Sequence, residues 1–153
     1  MSHQPEIERF GDNSLEVLDA LVEESRAEGY RMLVRLVDEW RDGTNRFSHS
    51  GEALFVARFQ DRIAGVCGLN MEPYIRDPNL GRLRHLYVAA KLRRHGIGRC
   101  LVNRIIAESA STFTRLTLRT NTEEAAAFYA AVGFSKAEPA NEYVTHFIDL
   151  AGR

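Results

Sequence analysis

The sequence predicts an α/β (α+β) protein, a mixed sheet with helices over its faces, and three observations predict it. Segments of period two alternate with segments of helical period in the order β-α-α-β-β-β-α-β-α-β-β. The 153 residues are 44% hydrophobic and 27% charged, ordinary values for a soluble globular protein. No repeat, low-complexity tract or linker divides them, and only four prolines punctuate the chain. A single domain over residues 1–153 is expected, because a chain of this size can bury roughly 68–70% of the surface its unfolded form exposes.

The elements follow in order. A short strand is read over residues 6–10. Asn13 and Glu16 then stand at capping-box spacing before Leu15, Leu18, Leu21 and Val22, which predicts a helix to about Ala27. Leu33, Leu36, Val37 and Trp40 recur at helical spacing, giving a second helix that ends before Gly43. Two β-type runs, 53–59 and 62–69, are split by Gln60 and Asp61 and read as a hairpin. A strand over 83–88 and a helix over 96–109 come next. Residues 115–120 alternate as a strand, and 122–132 form an Ala-rich helix stopped by Gly133 in an αL C-cap. A strand near 134–136 and another over 143–150 close the chain; in the latter His146 alternates with Val144 and Ile148 and reads as core-facing.

Several classes are excluded. Cys67 and Cys100 cannot build a multi-disulfide framework, and no Cys/His spacing suggests a metal site. The longest apolar runs fall far short of the roughly 20 residues that span a bilayer. The first ten residues, MSHQPEIERF, hold no apolar signal region. A reduced, cytoplasmic protein is expected. The net charge of −1 argues against nucleic-acid or membrane binding driven by overall charge. Its distribution is uneven: no acid occurs over 78–107, where Arg82, Arg84, Lys91, Arg93, Arg94, Arg99 and Arg104 all lie. A solvated basic face and an anion site both account for that.

The sharpest motif is Arg93-Arg94-His95-Gly96-Ile97-Gly98-Arg99, between a predicted strand and a predicted helix. Glycines there let backbone amides approach a ligand, and the helix N-terminus adds about half a positive charge. A glycine turn that only links strand to helix gives a similar string; arginines on both flanks favour the phosphate cradle. It is not a P-loop, which needs Gly-x4-Gly-Lys-Ser/Thr. A dinucleotide fingerprint fails too, because Leu101 stands where the third glycine belongs.

Downstream runs Tyr129-Ala-Ala-Val-Gly133-Phe134, preceded by Asn121 and an Ala-rich helix. With Val88 followed by Arg93-x-x-Gly96-x-Gly98, the chain resembles the GNAT superfamily of N-acetyltransferases, the match covering about residues 83–134. The resemblance implies a mostly antiparallel central sheet flanked by helices on both faces, and an acetyl-CoA-dependent N-acetyltransferase. In it an amine attacks the thioester directly in a ternary complex. Backbone groups of Leu86 and Val88 would bond the pantetheine arm, and an amide near Val88 would meet the oxyanion. Amides from Arg94 through His95, Gly96, Ile97 and Gly98 to Arg99 would hold the pyrophosphate, with Arg93 opening that motif. Asn121 and Phe128 would line the coenzyme groove. Tyr129 would be the general acid, since a phenol of pKa about 10 keeps its proton at neutral pH. The basic stretch suits coenzyme A, whose phosphomonoester alone carries about −1.5 to −2.

Other roles stay open for some of these residues. Asn121 with Glu124 has capping-box spacing, and Phe128 and Tyr129 could be core. Arg82 and Arg84 occupy the strand where many family members place a glutamate base. His85, Glu72 or water could take the amine proton instead. Residues 30–47 and 70–81 are expected to shape the acceptor site for a small-molecule or peptide amine. The resemblance leaves a homodimer open, since dimers are frequent among similar proteins, and it gives no reason for a nucleic-acid, membrane or metal partner. The rival reading is a non-catalytic CoA-binding or phosphate-sensing module on the same fold.

Overall fold

The computed structural model describes residues 4–11 and 14–151. Its strands are β1 (Glu6–Arg9), β2 (Ala53–Phe59), β3 (Arg62–Met71), β4 (Leu80–Val88), β5 (Arg115–Leu118), β6 (Ser135–Lys136) and β7 (His146–Asp149). Its helices are α1 (Asp19–Ala27), α2 (Met32–Asp42), α3 (Ile97–Ser109) and α4 (Glu123–Ala131). The seven strands form one sheet in the order β1-β2-β3-β4-β5-β7-β6. Every neighbouring pair is antiparallel except β4 with β5. The element order and the mixed sheet are as the sequence predicts.

Side chains one residue apart on a strand face opposite sides. A Cβ added to Gly65, whose register partner is Val88, would meet Leu101 and Ile97 of α3. Tyr87, one residue earlier, reaches Glu24 of α1. The sheet therefore lies between α3 on one face and α1 with α2 on the other. Phe128 of α4 lies over Gly98, on the α3 side. Phe55, Leu69, Leu101, Ile105 and Leu116 are wholly enclosed at the centre.

Local chemistry sets the boundaries where they differ from expectation. Asn13 lies outside the described residues; Ser14 is the N-cap there, its hydroxyl accepting from the Glu16 amide at 3.3 Å. A 3-10 turn over Leu15–Leu18 precedes α1, so the expected single helix is split. β7 begins three residues late because the Asn141 side chain accepts from the amides of Tyr143 and Val144, at 2.7 and 2.9 Å, and so turns the chain there. Thr122 rather than Asn121 caps α4, accepting from the Ala125 amide at 3.1 Å. The capping-box reading of Asn121 with Glu124 is thus corrected. His146 is buried, as its alternation predicts.

After α4 the chain reverses at Gly133, whose φ of +111° few side-chain-bearing residues adopt. The Phe134 amide then bonds back to the Tyr129 carbonyl at 3.0 Å, a Schellman-type closure. This stands Phe134 edge-on to Tyr129 with centroids 5.6 Å apart. The spacing Tyr-x-x-x-Gly-Phe is thereby explained: the glycine folds the Phe back onto the Tyr.

Leu101 of α3 is fully buried against β3. Leu101→Ala is expected to cost about 2–5 kcal/mol, read by urea unfolding.

Candidate active site

The parallel pairing of β4 with β5 is short. It joins Leu80, Gly81 and Arg82 to Arg115, Leu116 and Thr117, and then the strands part. A cleft of about 1260 Å³ opens between residues 82–88 of β4 and residues 118–122, which run from the last residue of β5 toward α4. A second hollow of about 860 Å³, beside Arg115, Pro139 and Phe147, holds none of the predicted catalytic or coenzyme residues, although Ile75, Asp77 and Leu80 of the 70–81 stretch expected at the acceptor site line it.

The fork is pinned by one buried carboxylate. Glu72, 4% exposed, accepts from Arg82 Nη1 at 3.3 and 3.1 Å and from the Thr117 hydroxyl. Arg82 and Thr117 are register partners, the last of the β4–β5 ladder. Glu72 does not line the cleft, and both its oxygens are engaged, so its proposed part as a base lacks geometric support.

Along the cleft β4 carries a bulge. Val66 pairs with Tyr87 and Gly68 with Arg84, so Cys67 alone faces both His85 and Leu86. His85 takes φ +60° at this point. Its ring meets Phe47 edge-on at 6.2 Å, while Arg84 bonds the Asn70 side-chain oxygen at 3.2 Å. His85 is 8% exposed, and neither ring nitrogen has a hydrogen-bond partner. Burial, with Arg84 and then Arg35 adding like charge, holds its pKa down to about 3. The Met32 backbone pulls weakly the other way without reaching hydrogen-bond geometry.

At one end lies the Arg93–Arg99 segment. Arg94 and Gly96 both have positive φ, +70° and +79°. Among the described residues, the amides of Arg94, His95, Gly96, Ile97, Gly98 and Arg99 find no backbone acceptor outside α3. Alternating left-handed residues at a helix start converge such amides into an anion-binding concavity. Gly98 keeps this wall low, since a Cβ there would stand 3.4 Å from Phe128 and 3.6 Å from Val88. Leu86, Val88, Arg93, Arg94, Gly96, Ile97 and Gly98 all line the cleft, as do Asn121 and Phe128. The side chains of His95 and Arg99 are exposed elsewhere, His95 tilting against Phe59 at 5.5 Å.

The Arg93 guanidinium is engaged within the protein. It pairs with Glu28 of the α1 C-cap at 2.9 Å, donates to the Val88 carbonyl at 2.9 Å and covers the Tyr87 ring at 5.2 Å. The Tyr87 hydroxyl bonds both Glu24 and Glu28, and Glu24 also accepts from the Ala90 amide at 2.7 Å. Arg93, and then Tyr87, hold the Glu28 carboxyl below its usual range, while burial first and these carboxylates second push the Tyr87 phenol up. The α1 end thus clamps the start of the loop. No local signal in the sequence pairs Glu28 with Arg93.

Tyr129 lies on the other wall, 8% exposed, between Phe128 at 5.2 Å and Phe134. Among the described residues nothing bonds its hydroxyl. Burial pushes its pKa up, with the Cys67 thiol a smaller cause. Cys67 is itself fully buried and raised by desolvation, so its thiol stays protonated and is no nucleophile. At the mouth Tyr74 and Tyr143 stack at 5.1 Å, Arg82 lying 4.8 Å over Tyr74. Tyr30, Met32 and Arg35 line the cleft from the expected 30–47 stretch, and Tyr74 from 70–81. Tyr143, expected only as the start of a strand, and Glu142 also line it from the β6–β7 connection. Among the described residues no group of three or more His, Cys, Asp or Glu could hold a metal ion, and no helix is long and apolar enough to cross a membrane.

A sheet forked beside an amide cradle, with a buried tyrosine across from it, defines an acyl-transfer class of protein. A family model described as Acetyltransferase (GNAT) domain matches residues 50–136. A solved structure described as a candidate acetyltransferase from Exiguobacterium sp. 255-15 is 31% identical, covering 95% of this chain and 93% of its own at a TM-score of 0.81. The chain belongs to the GNAT family of acetyltransferases and is an acyltransferase. An acetyltransferase of GNAT family from Staphylococcus aureus Mu50 shares the fold at 17% identity and TM-score 0.73, covering 96% of this chain and 99% of its own. So does a GNAT family N-acetyltransferase from Escherichia coli solved in complex with CoA, at 18% identity and TM-score 0.71, covering 96% and 82%. No curated protein matches.

Two stability outcomes follow from the buried charges. Arg82→Ala leaves the Glu72 carboxylate buried without its cation and is expected to cost about 3–5 kcal/mol in urea unfolding. His85 stays neutral in the native state down to about pH 3, whereas the unfolded chain protonates it near 6.5. Its contribution to stability is therefore intact above 6.5 and declines as pH falls toward 3. Between pH 6.5 and 5 the decline is about 1–2 kcal/mol, and His85→Leu would flatten it in unfolding curves measured at the two values.

Proposed function

We propose that the protein moves an acetyl group from acetyl-CoA to a primary amine by direct attack in a ternary complex, residues 1–153 acting as a single domain. The observation that carries this reading is the run of acceptor-free amides from Arg94 to Arg99 at the end of a cleft that also holds Tyr129. The CoA complex of the Escherichia coli neighbour supports the choice of coenzyme.

The pyrophosphate would rest on those amides, with Gly96 supplying the left-handed turn and Gly98 the close approach. Arg93 would act by holding the loop to Glu28. The free edge of β4 at Leu86 and Val88 would take the pantetheine arm as an added strand, and Asn121, released from capping, and Phe128 would face it. When bound, acetyl-CoA supplies an activated thioester; transfer forms a C–N bond and breaks the C–S bond, the sulfur taking its proton from Tyr129, which regains one from the water that receives the amine's proton.

Tyr129 holds a proton at its hydroxyl at every working pH, because burial raises its pKa, and it offers that proton toward the leaving sulfur. An amide near Val88 would meet the developing oxyanion. Of the two candidate bases only His85 lines the cleft. An imidazole neutral down to about pH 3 is a weak base, so His85 orients the amine and water carries the proton away. A reducing, cytoplasmic setting suits the unpaired Cys67 and Cys100.

Thermal unfolding with acetyl-CoA at about 100 times its dissociation constant is expected to gain about 2.7 kcal/mol, hence several degrees, with ATP and NADH giving no such rise. An equal rise with ATP would overturn the coenzyme assignment. Tyr129→Phe is expected to keep the rise and lower thiol release by about 10²–10⁴-fold.

A further inference from the structure

His85 is the buried group in the cleft whose chemistry has no counterpart in the protein. Its imidazole is held at positive φ by the β4 bulge, is 8% exposed, and has no hydrogen bond at either nitrogen. Buried polar groups are nearly always partnered, so an imidazole without one, in the wall of a ligand-sized cleft, faces a partner from outside. A neutral imidazole offers one N–H and one lone pair. That partner therefore presents an acceptor to one nitrogen and a donor to the other.

The surroundings set its charge. Arg35 of α2 and Arg84 of β4 line the cleft with His85, and both lie near enough to oppose its protonation. Arg84 reaches only the neutral amide of Asn70, and among the described residues Arg35 makes no ion pair. Of the other arginines of the cleft wall, Arg82 is matched by Glu72 and Arg93 by Glu28, while Arg94, at the amide cradle, and Arg119, beyond β5, make no ion pair among the described residues. The acids that line the cleft, Glu124 and Glu142, belong to α4 and the β6–β7 connection, and Glu142 raises the Tyr143 phenol's pKa.

We infer that the acceptor is an amine that also carries a carboxylate a few bonds away, an amino-acid-like zwitterion, its carboxylate held by Arg35 and Arg84 and its nitrogen set against His85. Guanidinium forks match carboxylates, and the zwitterion meets both halves of the imidazole at once. A polyamine or aminosugar would bring positive charge to a positive wall. The inference rests on the acetyltransferase reading of this cleft and on the transfer already written, with the new C–N bond on the acceptor's amine.

The test measures thiol release from acetyl-CoA with the standard L-amino acids, each beside its own carboxamide, and with spermidine and glucosamine. The expected result is at least one amino acid turned over with kcat/KM about 10- to 100-fold above its carboxamide. Arg35→Gln, at an exposed position, and Arg84→Gln are expected to raise KM for that amino acid by a similar factor. KM for acetyl-CoA and for the carboxamide would not move. Equal turnover of acid and carboxamide, preference for spermidine or glucosamine, or no amino-acid turnover overturns the inference. Thermal unfolding with acetyl-CoA runs alongside. A shift without amino-acid turnover overturns the acceptor class alone, whereas no shift overturns the reading beneath it.

Discussion

The hydrogen bonds that Glu72 accepts from Arg82 and Thr117 tie β4 to β5 at the last pair before the strands part. Two parallel strands separated by a helix would otherwise zip along their full length, because unpaired backbone groups inside a fold are costly. A buried carboxylate ties the side chains of the last register pair together, and past that pair the strands part. Past it, β4 keeps a row of backbone groups turned toward open space, the edge that a linear amide-bearing molecule can complete. The cleft opens at that fork, with the amide cradle at one end and Tyr129 on the facing wall.

The second constraint is what keeps the cradle in shape. Left-handed backbone at Arg94 and Gly96 is unfavourable in isolation, above all for an arginine. The α1 end offsets this by gripping the preceding residues through Glu24 and Glu28, at Tyr87, Ala90 and Arg93. The arginine at the head of the motif here binds protein, and the amides that follow find no backbone acceptor outside α3 among the described residues.

Much of this is legible in the chain because it is local. Helix spacing, the β2–β3 hairpin, the glycines of the cradle and the Tyr129-to-Phe134 spacing each express an interaction spanning a few residues, and the structure has all of them. What escapes the sequence is long-range or conformational. Nothing beside Arg93 points 65 residues back to Glu28, and nothing marks Glu72 as the fork's pin rather than a base. The bulge that turns His85 into the cleft wall leaves no residue signature, since no glycine stands there. Asn121 and Thr122 are both good caps, and only the backbone at Thr122 decides between them.

The extra residue in β4 also reverses the alternation of the strand. Before and at the bulge Arg84 and His85 reach the α2 side; after it Tyr87 faces α1 and Val88 faces α3. In the proposed reading one strand would divide labour between its two sides: groups toward α2 would meet the acceptor, while Val88 and the free edge would serve the coenzyme. On that reading, sequence change on the first side would redirect what is acetylated while the second side stays as it is. A deletion within residues 84–86 has no such freedom, because it would rotate everything downstream by half a turn and pull Tyr87 off its carboxylates.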